Sequence, residues 1–122
     1  MFRFEKLDVW NRSVTFAHHV YRMTRTFPES ERYGLVSQMR RASVAVSANI
    51  AEGCGRTSDR DYSRFLDIAY GSLMETLSHA TIARNEEFLR SEDQQELFNC
   101  AEEIAKMLSG LRTHLRSRDP SI

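Results

Sequence analysis

Residues 42–51 read ASVAVSANIA, ten positions without a charged side chain in a chain where 28% of residues are charged. Around this run the apolar residues step by three and four. Leu35, Met39, Ala42, Val46, Ile50 and Gly53 fall within about 40° of one line on a helix turning 100° per residue. That stripe predicts a helix seated on a core. Val44, Ala48 and Ala51 lie on the opposite side, again with no charge between them. A helix at the surface of a lone bundle carries Lys and Glu on its back, whereas one that is apolar all round is buried all round. The expectation is a second helix hidden on two sides, one toward its own chain and one toward a neighbouring subunit. Ala42, Ser43, Ala45, Ser47, Ala48 and Ala51 are small enough for close backbone approach, and Gly53 and Gly71 suit the same purpose.

The same spacing runs through the rest of the chain, and strand-type alternation is absent. Helix 1 is expected over about 8–26, with Asp8 as N-cap and a stripe of Leu7, Trp10, Val14, Ala17, Tyr21 and Thr24. Phe27-Pro28 ends it, because the residue before proline is pushed out of the α region. Helix 2 covers about 30–53, with Gly34 loosening its first turn and Gly53 and Gly55 marking its end. Helix 3 covers about 58–88. Ser58 and Asp61 open it as a weak capping box, and Tyr62, Phe65, Ala69, Leu73, Thr76, Ala80 and Ala83 share a face. Helix 4 covers about 91–116, opened by the better box Ser91–Gln94, with Leu97, Ala101, Ile104, Leu108, Leu111 and Leu115 inward. Ser117 to Ile122 read as a frayed tail. Four helices with short connections make an all-α, antiparallel up-down four-helix bundle in a single domain spanning 1–122.

Seventeen basic and seventeen acidic side chains cancel, so no global field draws the chain to nucleic acid or membrane. The halves differ. Residues 1–64 hold eleven Lys/Arg against seven Asp/Glu, a net of +4, and residues 65–122 hold six against ten, a net of −4. The opening MFRFEKLDVW lacks a signal peptide's apolar run, and no stretch approaches the ~20 apolar residues of a membrane span. Cys54 and Cys100 have no metal-ligand spacing and read as reduced thiols. Together these features point to a soluble cytoplasmic protein.

Between the two apolar sides of helix 2 runs a polar edge of Gln38, Arg41, Asn49, Glu52 and Arg56, with Ala45 in its gap. Glu52 and Arg56 form an i,i+4 pair in the favourable order. One reading has Asn49, Glu52 and Arg56 tying the helix end to its neighbours; the other is a ligand site there. A phosphate loop does not fit, since GCGR lacks the GxxxxGK[ST] spacing and closes a helix rather than opening one. The Arg56–Ser58 turn does precede helix 3, where an anion can rest on a helix N-terminus.

The runs FPESERYGL, QMRRA, SANIAEGCGR and DYSRFLDIAYGSLMET closely resemble the small bacterial four-helix bundle family known as the 23S rRNA intervening-sequence proteins, relatives of the accessory proteins of diversity-generating retroelements. The likeness spans roughly residues 4–115 and is densest over 27–75. It implies a homopentameric ring or barrel of bundles, with Arg41, Asn49, Glu52, Gly53 and Arg56 at motif positions. It implies no enzymatic activity and no cofactor. Retroelement members contact RNA or DNA and a reverse transcriptase through a basic surface. This chain departs from them in its neutral balance, its two lysines (Lys6 and Lys106) and its acidic helix 4.

Other chemistry is thinly supported. Glu75 and His79 lack the second copy that a di-iron bundle needs, His18 and His19 point about 100° apart, and His114 is isolated, so no metal site is expected. Cys54 has Arg56 two residues on, which favours thiolate character, but no base accompanies it. Arg40, Arg41, Arg56, Arg60 and Arg64 are the candidate nucleic-acid contacts, against a solvated face balanced by Glu52, Asp59 and Asp61. Val44, Ala48 and Ala51 are the candidate subunit interface. Two functions remain: a non-enzymatic oligomer that contacts nucleic acid or a nucleic-acid enzyme, and a structural or protein-interaction module that binds no nucleic acid.

Overall fold

The computed structural model describes all 122 residues. Four helices, α1 (Asp8–Thr24), α2 (Leu35–Cys54), α3 (Asp59–Asn85) and α4 (Ser91–Arg118), are joined by short connections, with single 3₁₀ turns at Arg3–Lys6 and Glu29–Glu31. Each helix packs on its chain neighbours, α4 closes back on α1, and the diagonal pairs lie farther apart across the shared core. Cross-links fix the directions. Arg12 meets Glu103 while Arg22 meets Glu96 at 3.2 Å, so α1 and α4 run antiparallel. Arg118, at the end of α4, holds Asp59 at the start of α3 with two bonds of 2.7 and 3.0 Å. This is the up-down bundle that the spacing predicts.

Three of the expected stripes face the core. Met39, Ala42, Val46, Ile50 and Gly53 of α2 are buried, as are all seven named positions of α3 and five of six on α4 (Leu111 is half-buried). The α1 stripe is corrected. Val14 and Tyr21 are exposed, and the buried row is Val9, Ser13, Phe16, Val20 and Met23, continued by Phe27. Both rows step by three and four, so spacing alone does not choose between them. Ser13 disguises the buried row in the sequence. Its hydroxyl donates to the Val9 carbonyl at 2.7 Å, which removes the cost of burying it. Thr24 and Thr76 are buried by the same device, donating to the carbonyls of Val20 and Ser72.

Several helix ends also differ from expectation. Leu7, not Asp8, is the N-cap of α1, and Asp8 sits in the first turn near the helix dipole's positive end. The 29–34 segment is a 3₁₀ turn followed by Gly34 as N-cap of α2, so Gly34 lies outside the helix. Ser58 does cap α3, accepting from the Asp61 amide at 3.1 Å. The stronger motif, Ser91–Gln94, does not form: Arg90 is the N-cap of α4 and the Ser91 hydroxyl turns to Glu92. The tail is less frayed than its composition suggests. Helix α4 continues to Arg118, and Ile122 packs against the core.

At the end of α3 the chain reverses through Glu87, whose φ of 64° is left-handed. Phe88 donates to the Ala83 carbonyl and Glu87 to that of Arg84, the pairing of a Schellman motif with glutamate where glycine is usual.

The tightest contact joins α2 to α3. A Cβ placed on Gly53 would lie 2.7 Å from Phe65 Cβ and 3.1 Å from Tyr62 Cδ1, so only glycine permits this approach. Gly110 of α4, by contrast, meets nothing within 4 Å. Gly53→Ala is expected to destabilise the bundle by about 1–3 kcal/mol through overpacking. Gly110→Ala is expected to stabilise it by roughly 0.5–1 kcal/mol through lost backbone freedom in the unfolded chain. Urea unfolding of both variants checks the opposite signs.

Candidate interaction surface

Helix α2 lies between α1 and α3, and its back is open. Val44 is 42% exposed and Ala48 is exposed too, while Ala51 is half-buried. Part of the expected subunit face is therefore covered by the chain itself. The 3₁₀ turn packs against α2, and Phe2, Arg3 and Phe4 line a small hollow with Ala51, Cys54 and Gly55. Phe4 in turn meets Trp10 edge-on, with centroids 4.9 Å apart.

Between α1 and α2 a groove of about 580 Å³ runs along Tyr21, Tyr33, Val36, Arg40, Val44 and their neighbours. No carboxylate lines it, while Arg32, Arg40 and Arg41 all do. Arg40 is held in place from three sides. Its Nε donates to Thr24 Oγ1 at 2.9 Å, its Nη2 to the Tyr21 carbonyl, and its guanidinium lies 4.6 Å from the Tyr21 ring centroid. Those acceptors are neutral, so its charge is oriented but not cancelled. Arg41 is exposed and has no ion-pair or hydrogen-bond partner.

The five candidate arginines do not form one patch. Arg41 lies about 20 Å of helix from Cys54, the last residue of α2, and Arg56 lies beyond that end. Arg56, Arg60 and Arg64 gather at the α2–α3 corner, where Arg56 and Arg64 stack over the one Phe65 ring, 4.6 and 5.0 Å from its centroid. The charge of two of the three is answered within the chain. Arg56 pairs with Glu52 at 3.3 Å and Arg64 with Asp61 at 3.8 Å, while Arg60 donates to the Ser121 carbonyl and hydroxyl. Asp59 serves Arg118 rather than this cluster. Pairs as exposed as these are worth only about 0.2–1 kcal/mol each, so the arginines remain free to exchange partners.

The polar edge of α2 is local in character. Asn49 donates back to the Ala45 carbonyl at 2.7 Å, and Glu52 reaches only Arg56. Arg56 is engaged with Glu52 and Phe65. Cys54 is buried beside Tyr62, and it is burial first, then the neighbouring thiol, that pushes the Tyr62 hydroxyl well above its ordinary range. Glu75 and His79 pair with each other at 3.3 Å, and no third His, Cys, Asp or Glu joins them to make a metal-holding group. His19 meets Glu96 at 3.7 Å between α1 and α4, with its Nδ1 buried and unbonded. No helix is long and apolar enough to cross a membrane.

What the fold and its surface define is a small up-down helical bundle with an uncharged, exposed ridge on its second helix. The chain belongs to the 23S rRNA-intervening sequence protein family, whose model matches residues 5–110. It is also similar to a crystal structure of a protein with unknown function from the S23 ribosomal protein family of Bacteroides thetaiotaomicron. The identity is 24% and the TM-score 0.76, with 85% of this chain and 97% of that one covered. At that identity the likeness shows a shared fold. No curated protein matches the sequence.

The Tyr62 environment carries a pH consequence. A phenol whose folded-state pKa is raised above the ordinary 10.0 contributes stability that is complete below pH 10 and is lost as the pH climbs beyond it, because the unfolded chain releases the proton first. Denaturant midpoints are expected to fall above pH 10, and Tyr62→Phe is expected to make that fall shallower than in the wild type.

Proposed function

We propose that the protein is a non-enzymatic assembly module: a four-helix bundle that associates with copies of itself through the outer side of α2, as the homopentameric ring of its family resemblance. The observation that carries this reading is the uncharged ridge around Val44 and Ala48, flanked by the exposed rings of Tyr21 and Tyr33. Leaving such a ridge in water forgoes roughly 25 cal/mol for each Å² of apolar surface that a partner would cover. Both cysteines are free thiols, in keeping with a reducing cytoplasm. Light scattering at micromolar concentration is expected to give a mass several times the 14.2 kDa of one chain. A particle of one chain's mass ends this reading.

A second reading adds contact with RNA or DNA, or with a nucleic-acid enzyme such as a reverse transcriptase. The clustering of Arg56, Arg60 and Arg64 at one corner supports it, and repetition around a ring would multiply a weak site. It competes with a purely structural role, which the internal pairing of the same arginines favours. A gel-shift series separates the two. Phosphate contacts predict a log–log salt slope of about 0.9 per neutralised phosphate for duplex DNA, with weaker binding by the Arg60→Ala/Arg64→Ala double variant. Absence of a shift at low salt leaves the structural role standing.

A further inference from the structure

Self-association leaves open which surface of the next copy meets α2. The α1–α2 groove presents guanidiniums and tyrosines with no carboxylate. The adjoining α2–α3 face has the opposite character. On α3 the exposed residues Ile68, Gly71, Glu75, Ser78 and Ile82 follow one another by three and four. Ile68 and Ile82 are 42% and 49% exposed, and a Cβ on Gly71 would meet nothing within 4 Å. No Lys or Arg occurs from Phe65 through Ala83. The row thus offers two apolar knobs, a flat gap between them and the Glu75 carboxylate, with Glu86 one turn beyond. Neither face matches itself: two grooves would bring guanidiniums together, and two α3 rows would bring carboxylates together, at a like-charge cost.

We propose that the subunit contact is head to tail, with the Tyr21/Tyr33/Arg40/Val44 groove of one copy receiving the Ile68/Glu75/Ile82 row of α3 of the next. The proposal rests on the self-association reading above and names its partner surface. Charge complementarity selects the occupant: the groove holds Arg32, Arg40 and Arg41 with no carboxylate, while the row carries Glu75, with Glu86 beyond it, and no Lys or Arg, although within its own chain Glu75 also meets His79 and shares a hollow with Arg41. The +4 and −4 halves of the chain express the same asymmetry. A contact between different faces is heterologous, so it propagates from copy to copy instead of ending at a dimer. The cyclic order α1–α2–α3–α4 makes the two faces neighbours that share α2. Because the two faces adjoin rather than oppose each other, each copy is turned relative to the last, and the contacts close into a ring with α2 toward the axis instead of an open filament.

A complementation experiment tests it. Val44→Glu blocks the groove and Ile82→Lys blocks the row; both positions are exposed, and circular dichroism with thermal melting verifies that each variant folds. Each variant alone is expected to have one chain's mass by light scattering. Mixed in equal amounts, they are expected to form a dimer of twice 14.2 kDa that grows no further, because the intact groove of one variant meets the intact row of the other and both outer faces are blocked. The double variant is expected to be monomeric and to join neither a ring nor a dimer with itself. A wild type that assembles while folded Ile82→Lys assembles equally well overturns the pairing but leaves self-association standing. Two monomeric single variants that fail to form a dimer on mixing overturn it as well. A monomeric wild type removes the pairing together with the reading on which it rests.

Discussion

The contact of Gly53 with Phe65 and Tyr62 sets the separation of α2 and α3, and much of the molecule follows from it. Because no side chain intervenes, the end of α2 lies directly on the start of α3, and the Gly55–Ser58 connection is short. Phe65 is brought under Arg56 of the connection and Arg64 of its own helix. Tyr62 is pressed against Cys54 in the same layer. A larger residue at position 53 would push these groups apart and disturb the corner where the arginines gather. The glycine in the run NIAEG thus has a packing role inside the chain, whereas Gly71, also small, faces open space.

Polar groups in the core are handled locally. Ser13, Thr24 and Thr76 return their hydroxyls to carbonyls four residues earlier, so the bundle interior needs no side-chain network to satisfy them. Charged groups stay outside and link helices in pairs: Arg12 and Arg22 to α4, Arg112 and Arg118 from α4 to α3. These links cover the α1–α4 and α3–α4 sides. The sides that include α2 have no such interhelical ion pair, and they are where exposed apolar residues and the grooves concentrate. The uneven placement of charge leaves α2 as the side suited to a partner.

The legibility of the fold varied by helix for identifiable reasons. On α2, α3 and α4 one apolar row dominates, so spacing alone points to the core. On α1 two rows compete, and the deciding one includes a serine whose burial depends on a backbone hydrogen bond that a hydropathy pattern does not register. Capping motifs were unreliable for a related reason. The Ser58 hydroxyl had an amide to accept from, while the Ser91 hydroxyl turned to a nearer partner in Glu92. For the surface, the bare back of α2 was visible as a run without charge. The groove beside it was not, because Tyr21 of α1 meets Arg40 of α2 only after the two helices fold against each other.

By itself the sequence determined the number of helices, their order, the up-down path and the family, since each depends on periodicity and short motifs carried within one segment. The tertiary structure decided which side of α1 is buried, how the arginines divide between internal partners and open surface, and how the N-terminal turn comes to cover Ala51. Those outcomes depend on which side chains meet across helices, and a one-dimensional pattern holds the spacing within a helix but not the distance between two.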